Sequence, residues 1–172
     1  ILAHLAEDEN LIKAFHSGAD IHRATAAQIF GKDLEEVSDD LRSQAKAINY
    51  GIVYGMGPRR LSQTTGCSLT EAKEFINRYF TNFSSIRTFI DDAIEKVQKL
   101  SYSQTLLGRR RKIEGLDGQL GSMALVNAKN VAVNSPIQGT AADLIKLAMI
   151  KVQESLSKKK LKARMLLQVH DE

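Results

Sequence analysis

At 172 residues the chain is long enough for one domain with its own core, and 43% apolar with 26% charged residues is a globular balance that excludes a disordered or fibrous chain. Its 24 basic residues exceed its 20 acidic ones by a net +4, so acidic partners are favoured only weakly and the placing of the cations matters more than their sum. One cysteine, Cys67, excludes a disulfide framework, no apolar run approaches the ~20 residues of a membrane span, and with no signal peptide opening the chain a cytoplasmic location without membrane contact is expected.

In chain order, residues 1–17 read as one helix, with Leu2, Leu5, Leu11, Ile12 and Phe15 on its apolar side and Gly18 as its stop. Asp20 caps a short helix from Ile21 to Phe30 that ends at Gly31. A brief turn at 33–37 leads to Ser38, the N-cap of the run DDLRSQAKAINYGIVYG at 39–55, whose two leading aspartates suit a positive helix end. Gly57-Pro58 restarts a helix to Thr65, closed by Gly66. Ser68 and Glu71 form a capping box for a helix to about Phe80. Ser84 or Ser85 opens the next, with Ile86, Ile90, Ala93, Val97 and Leu100 as its apolar face. From Tyr102, SYSQTLLGRRRKIEG reads as a short hairpin turning at Gly108. A long helical stretch from about Ser122 to Ser157 follows, which Pro136 is expected to end or kink. Lysines at 158–160 and 162 then lead into a strand at 163–169. The predicted fold class is α+β, mostly α.

The stretch at 39–55 organises the rest. Arg42, Lys46, Tyr50 and Tyr54 recur every four residues, so on a helix they form one slanted stripe, cationic in its first half and aromatic in its second. Leu41, Ala45, Ile48 and Ile52 fall on the opposite, buried side. Two cations followed by two phenols suit a nucleotide, with phosphates at one end and base and sugar at the other. The plainer alternative is a solvated helix face. Against it, each tyrosine is followed by a glycine, Gly51 and Gly55, at about 1 kcal/mol relative to alanine, which suggests that another chain or a ligand comes close.

Asp171 and Glu172 follow the apolar run MLLQVH, and carboxylates at a strand tip suit Mg²⁺, although for the pair alone a charged turn is the favoured reading. The histidines at 4, 16, 22 and 170 have no zinc spacing. Arg109, Arg110, Arg111 and Lys112 are four successive cations at a turn, either contacts to a phosphate backbone or a solubilising loop. In NSPIQG, Asn134 and Gln138 place two amides around the proline, able to reach minor-groove acceptors or to cap a helix.

Together RSQAKAINYGIVYG, NSPIQGTAADLIK and QVHDE resemble the successive signature motifs of family A DNA polymerases, the bacterial DNA polymerase I type. DIHRATAAQIFG, LLGRRR and the opening ILAHL match as well, so the resemblance spans essentially the whole chain. It implies a helix leaving the palm at 1–19, a fingers subdomain at 20–120 and part of the palm at 121–172, with no exonuclease or thumb and with the first catalytic aspartate expected just before Ile1.

The roles follow from the same resemblance. Arg42 and Lys46 would bind the triphosphate of the incoming dNTP, helped by His22, and Lys46 would also donate a proton to the leaving pyrophosphate. Tyr50 would lie against the sugar, its phenol standing where a dideoxynucleotide lacks its 3′-hydroxyl, and Tyr54 would guard the template-base position. Asn134 and Gln138 would contact the primer-template DNA, with Arg109 and Arg110 on its backbone and His170 by the primer end. Asp171 would bind metal, with Glu172 beside it, in a two-metal phosphoryl transfer using Mg²⁺. A monomer is expected, inactive as this segment alone. The chain departs from the family at Lys129-Asn130, where a Glu-Arg or Glu-Asn type pair is usual, and after GRRR, where Lys112-Ile113-Glu114-Gly115 replaces a run ending in Leu-Pro. A single-subunit RNA polymerase, or a non-catalytic helical nucleic-acid-binding module, remains as an alternative.

Overall fold

The structure, a computed structural model, describes residues 1–116 and 121–169. The described residues form eight α-helices and one small hairpin, which packs on α7 and α8: α1 (Leu2–Leu5), α2 (Glu9–His16), α3 (Ile21–Phe30), α4 (Asp39–Val53), α5 (Pro58–Thr65), α6 (Leu69–Asn82), α7 (Ser84–Leu100), β1 (Tyr102–Gln104), β2 (Arg110–Lys112) and α8 (Ser122–Lys158). The strands pair antiparallel, Tyr102 opposite Lys112 and Gln104 opposite Arg110. This is the expected mostly helical α+β class.

Local chemistry sets most boundaries. Asp20 accepts from the backbone N–H of His22 and of Arg23, both at 3.0 Å, and Gly31 ends α3 in the left-handed conformation at φ 63°. Ser38 caps α4, and Ser68 with Glu71 forms the complete capping box of α6.

Three expectations need correction. The opening helix is broken after Leu5, where Glu7 takes φ 51° and the buried Asp8 starts α2 by accepting from the Leu11 N–H at 3.0 Å. An aspartate ahead of a fresh acidic turn is itself a start signal, and Phe15, expected on the apolar side, is 60% exposed. Pro136 does not end α8, which runs through it. Proline lacks the N–H that would bond the Ala132 carbonyl, and the Ser103 hydroxyl of β1 donates to that carbonyl instead, at 3.4 Å. Residues 163–169 join no ladder among the described residues, since a strand exists only through a partner and the sheet holds β1 and β2 alone.

The largest core joins α1 to α7, with Ile29, Ile48, Leu61 and Ile86 fully enclosed. A second joins α7, the chain after β2 and α8 through Val97, Ile113, Leu116 and Ala132. Between α3 and α4, Ala26 and Ala45 are both 0% exposed, and such small side chains let the two helices lie close. That approach sets the site. Leu144, Ile145, Leu147, Ile150 and Val152 leave the later half of α8 with exposed apolar positions.

Candidate functional site

The buried side of α4 is as the spacing requires: Ala45, Ile48 and Ile52 are buried and Leu41 is half-buried. The stripe accordingly faces outward, toward α3. Arg42 pairs through Nε with Asp20 Oδ2 at 2.5 Å, and Arg23 reaches from α3 to the Val37 carbonyl at 2.6 Å and to Asp39 at 3.0 Å. Two ion pairs therefore tie the start of α4 to the start of α3. Lys46 is exposed and makes no ion pair or hydrogen bond among the described residues. Tyr50, 52% exposed, stacks on Tyr54 with centroids 6.3 Å apart and planes 22° from parallel, and its other neighbour is the His22 ring at 6.1 Å. Tyr54 is the residue that caps the end of α4, so the stripe's last position lies just beyond the helix.

A cavity of about 580 Å³ gathers these groups; Asp20, His22, Arg42, Asn49, Tyr50 and Tyr54 line it. Arg42, Tyr50 and Tyr54 of the stripe thus line it, while Lys46 does not. A larger groove of about 860 Å³ between α7 and the hairpin carries only Glu7, Asp92 and Lys96 as charged lining, and no aromatic–cation stripe.

The charges in the cavity act on one another. The Arg42 guanidinium holds the Asp20 carboxyl below its usual range, helped by the Arg23 backbone N–H. Burial pushes the His22 imidazole below its ordinary value; Asp20 opposes this, and the nearby cations Arg42 and Lys46 add to it. His22 is therefore a neutral ring at neutral pH, beside Arg42 and Lys46.

The glycines after the tyrosines have a different cause from the one expected. A Cβ on Gly51 would meet the Met56 side chain at 2.5 Å, and one on Gly55 would meet Asn130 Oδ1 at 2.0 Å, with Gly55 already at φ 79°. The close neighbours belong to this chain, and the second is the end of α4 pressed on α8.

The hairpin's four cations are all engaged internally. Arg109 pairs with Asp143 at 2.7 Å and donates to the Gly139 carbonyl at 2.9 Å; Arg110 lies over the Tyr102 ring at 4.6 Å; Arg111 donates to Ser135 at 3.3 Å; Lys112 pairs with Glu114 at 2.7 Å. Thr105 also donates to Asp143, at 2.7 Å, so α8 holds the turn by one carboxylate. Gly139 is required by this docking: a Cβ there would meet the Thr105 methyl at 2.6 Å. Arg109, Arg110 and the exposed Gln138 share a small pocket of about 80 Å³ on this surface. Asn134 is not part of it; its Oδ1 is buried and has no hydrogen-bond partner among the described residues. His170, Asp171 and Glu172 lie outside the described residues, among which no group of three His, Cys, Asp or Glu side chains could hold a metal ion.

The sequence profile of DNA polymerase family A matches residues 1–172. The chain belongs to that family. Over all 172 of its residues it is 46% identical to the thermostable DNA polymerase I of Thermus aquaticus and 45% identical to DNA polymerase I of Geobacillus stearothermophilus, covering 20% of each. DNA polymerase I of Caldicellulosiruptor bescii is 44% identical, again with 20% covered. The chain thus spans about a fifth of the length of these relatives. A solved structure of the POL domain of Pol1 from M. smegmatis, in complex with DNA primer-template and dNTP, superposes with a TM-score of 0.93 over 99% of this chain and 30% of that one, at 40% identity.

In the sequence Asp20 reads only as a cap, and Thr25, Asn49 and Asp143 take no role from the motifs that contain them. An asparagine inside a helix, directly before Tyr50, is a weak helix former and was the available signal. No helix among the described residues is long and apolar enough to cross a membrane.

Proposed function

We propose that this chain is the nucleotide-binding segment of a DNA-directed DNA polymerase that adds dNTPs to a primer 3′ end. The observation that carries the reading is the cavity on which His22, Arg42, Tyr50 and Tyr54 converge from two helices, with Lys46 on the same stripe. Arg42 and Lys46 bind the triphosphate and the neutral His22 assists; Lys46 is the proton donor to the leaving pyrophosphate. Tyr50 lies against the sugar, and Tyr54 stands at the template-base position, stacked on Tyr50. Gln138 and Asn134 contact the primer-template, Arg109 and Arg110 act from the docked hairpin, and His170 lies by the primer end.

Carboxylates are hard oxygen donors of the kind Mg²⁺ takes, so Asp171, with Glu172 beside it, is the set in this chain that would hold the metal. Bound Mg²⁺ ions supply charge neutralisation at the phosphates and activation of the attacking hydroxyl in such transfers. The POL domain of the mycobacterial Pol1, seen with primer-template and dNTP, supports the same choice of partners.

The test is primer extension by the full-length protein with Arg42→Ala. Loss of its charge-assisted hydrogen bonds raises the KM for dNTP by about tenfold to a hundredfold. An unchanged KM, or equal use of rNTPs, would overturn the reading.

A further inference from the structure

We propose that Thr25 and Asn49 are positioning residues that hold His22 as the neutral tautomer with its proton on Nε2, ready to donate to a phosphate oxygen of the incoming nucleotide. This rests on the reading of the cavity as a dNTP site.

The assignment follows from counting protons. The Ile21 carbonyl can only accept, and Thr25 Oγ1 lies 2.7 Å from it, so the one proton of the hydroxyl points there. Thr25 is 2% exposed, which leaves solvent no part in the exchange. Toward Asn49 Nδ2, at 3.2 Å, the same oxygen can then only accept. The NH₂ end of the Asn49 amide therefore faces α3, and its oxygen does not. Its second hydrogen is directed at His22 Nδ1, 3.1 Å away. A nitrogen that accepts carries no proton, so the proton of the neutral ring sits on Nε2. Nε2 has no hydrogen-bond partner among the described residues, and His22 lines the cavity.

A helix carbonyl thus sets the direction of a hydroxyl, the hydroxyl that of an amide, and the amide the tautomer of a histidine. The chemical result is a donor without charge. Arg42 and Lys46 already supply the cations, and burial disfavours a third charge at His22. Without the Thr25 hydroxyl, the Asn49 amide is free to turn its oxygen to Nδ1. That stabilises the other tautomer and leaves a lone pair on Nε2, facing the phosphate oxygens.

The experiment is a double-mutant cycle in the full-length protein, reading KM for dNTP and kcat in primer extension. Thr25→Val keeps the volume and removes the hydroxyl. It is expected to raise the KM about fivefold to tenfold with kcat unchanged, as one lost hydrogen bond does, while Thr25→Ser stays at the wild-type value. His22→Ala gives a similar rise, and Thr25→Val adds nothing in its background. Nitrogen NMR of the histidine-labelled protein gives the tautomer directly: Nε2-protonated in the wild type, shifted toward Nδ1-protonated in Thr25→Val. An Nδ1-protonated wild type, or fully additive effects of the two substitutions, overturns the relay. If His22→Ala leaves the KM unchanged while the tautomer is as stated, the dNTP reading of the cavity fails and the relay's ligand fails with it.

Discussion

Of the five N–H donors on Arg42, Asp20 takes the one at Nε, so the forked Nη pair is open to the proposed triphosphate. Tyr50 has a comparable division: its ring packs between His22 and Tyr54 while half of the residue is open to the cavity. If its phenol stands in for a missing 3′-hydroxyl, Tyr50→Phe lowers dideoxynucleotide incorporation relative to dNTP by about tenfold, the worth of one hydrogen bond. Equal incorporation ratios for the two forms would refute this. His22 also has a stability consequence. Its folded-state pKa is below the ordinary 6.5, so in the window between the two the unfolded chain binds more protons and stability rises with pH. Thermal midpoints measured from about pH 5 to 7 should therefore climb in the wild type, and climb less in His22→Gln. Asp20 acts lower on the scale. Its depressed carboxyl adds stability above the usual 3.8 that is lost as pH falls below it, and its partly exposed position keeps the effect small.

At the scale of elements, what was legible in the sequence was local. Ser38, Ser68 with Glu71, Asp20 with Gly31, and Gly108 each act on backbone within a few residues, and their caps and turn stand as read. What escaped depends on partners distant in sequence. Pro136 looks like a break unless Ser103, 29 residues before Ala132, is known to sit beside it. Arg109 looks like a free cation unless Asp143 is seen to hold it. The stripe was readable as a helical face, whereas the Thr25–Asn49–His22 chain needs the packing of α3 on α4. Gly55 shows the same division: its left-handed turn is local, but its contact with Asn130 is not. Gly55→Ala is expected to destabilise by about 2–4 kcal/mol, adding the left-handed strain of about 1–2 kcal/mol to the collision with the amide. Asn130→Ala in the same chain removes the collision and should recover about half. Denaturant midpoints of the single and double variants check this, and no recovery would place the whole cost in the backbone.

For the molecule as a whole, two cores are joined where α7 passes from one to the other. The proposed dNTP site, apart from the acidic pair, is built on α3 and α4, whose close contact is made by Ala26 and Ala45, and the hairpin packs on α7 and α8, which carry the second core. The chain spans a fifth of its relatives, and the apolar later half of α8 is exposed, so the 172-residue segment alone is expected to give no primer extension with Mg²⁺. Detectable extension by the purified segment would sink that expectation. The contact between Gly55 and Asn130 lies at the border of these two halves, at the very end of α4. It leaves no room for a side chain at position 55, so any swing of α4 would turn about this point. Were α4 to swing about it, Tyr54 beside the bearing would barely travel, while Arg42, some three turns along the lever, would sweep the widest arc. The base end of the stripe would stay fixed while its phosphate end moved.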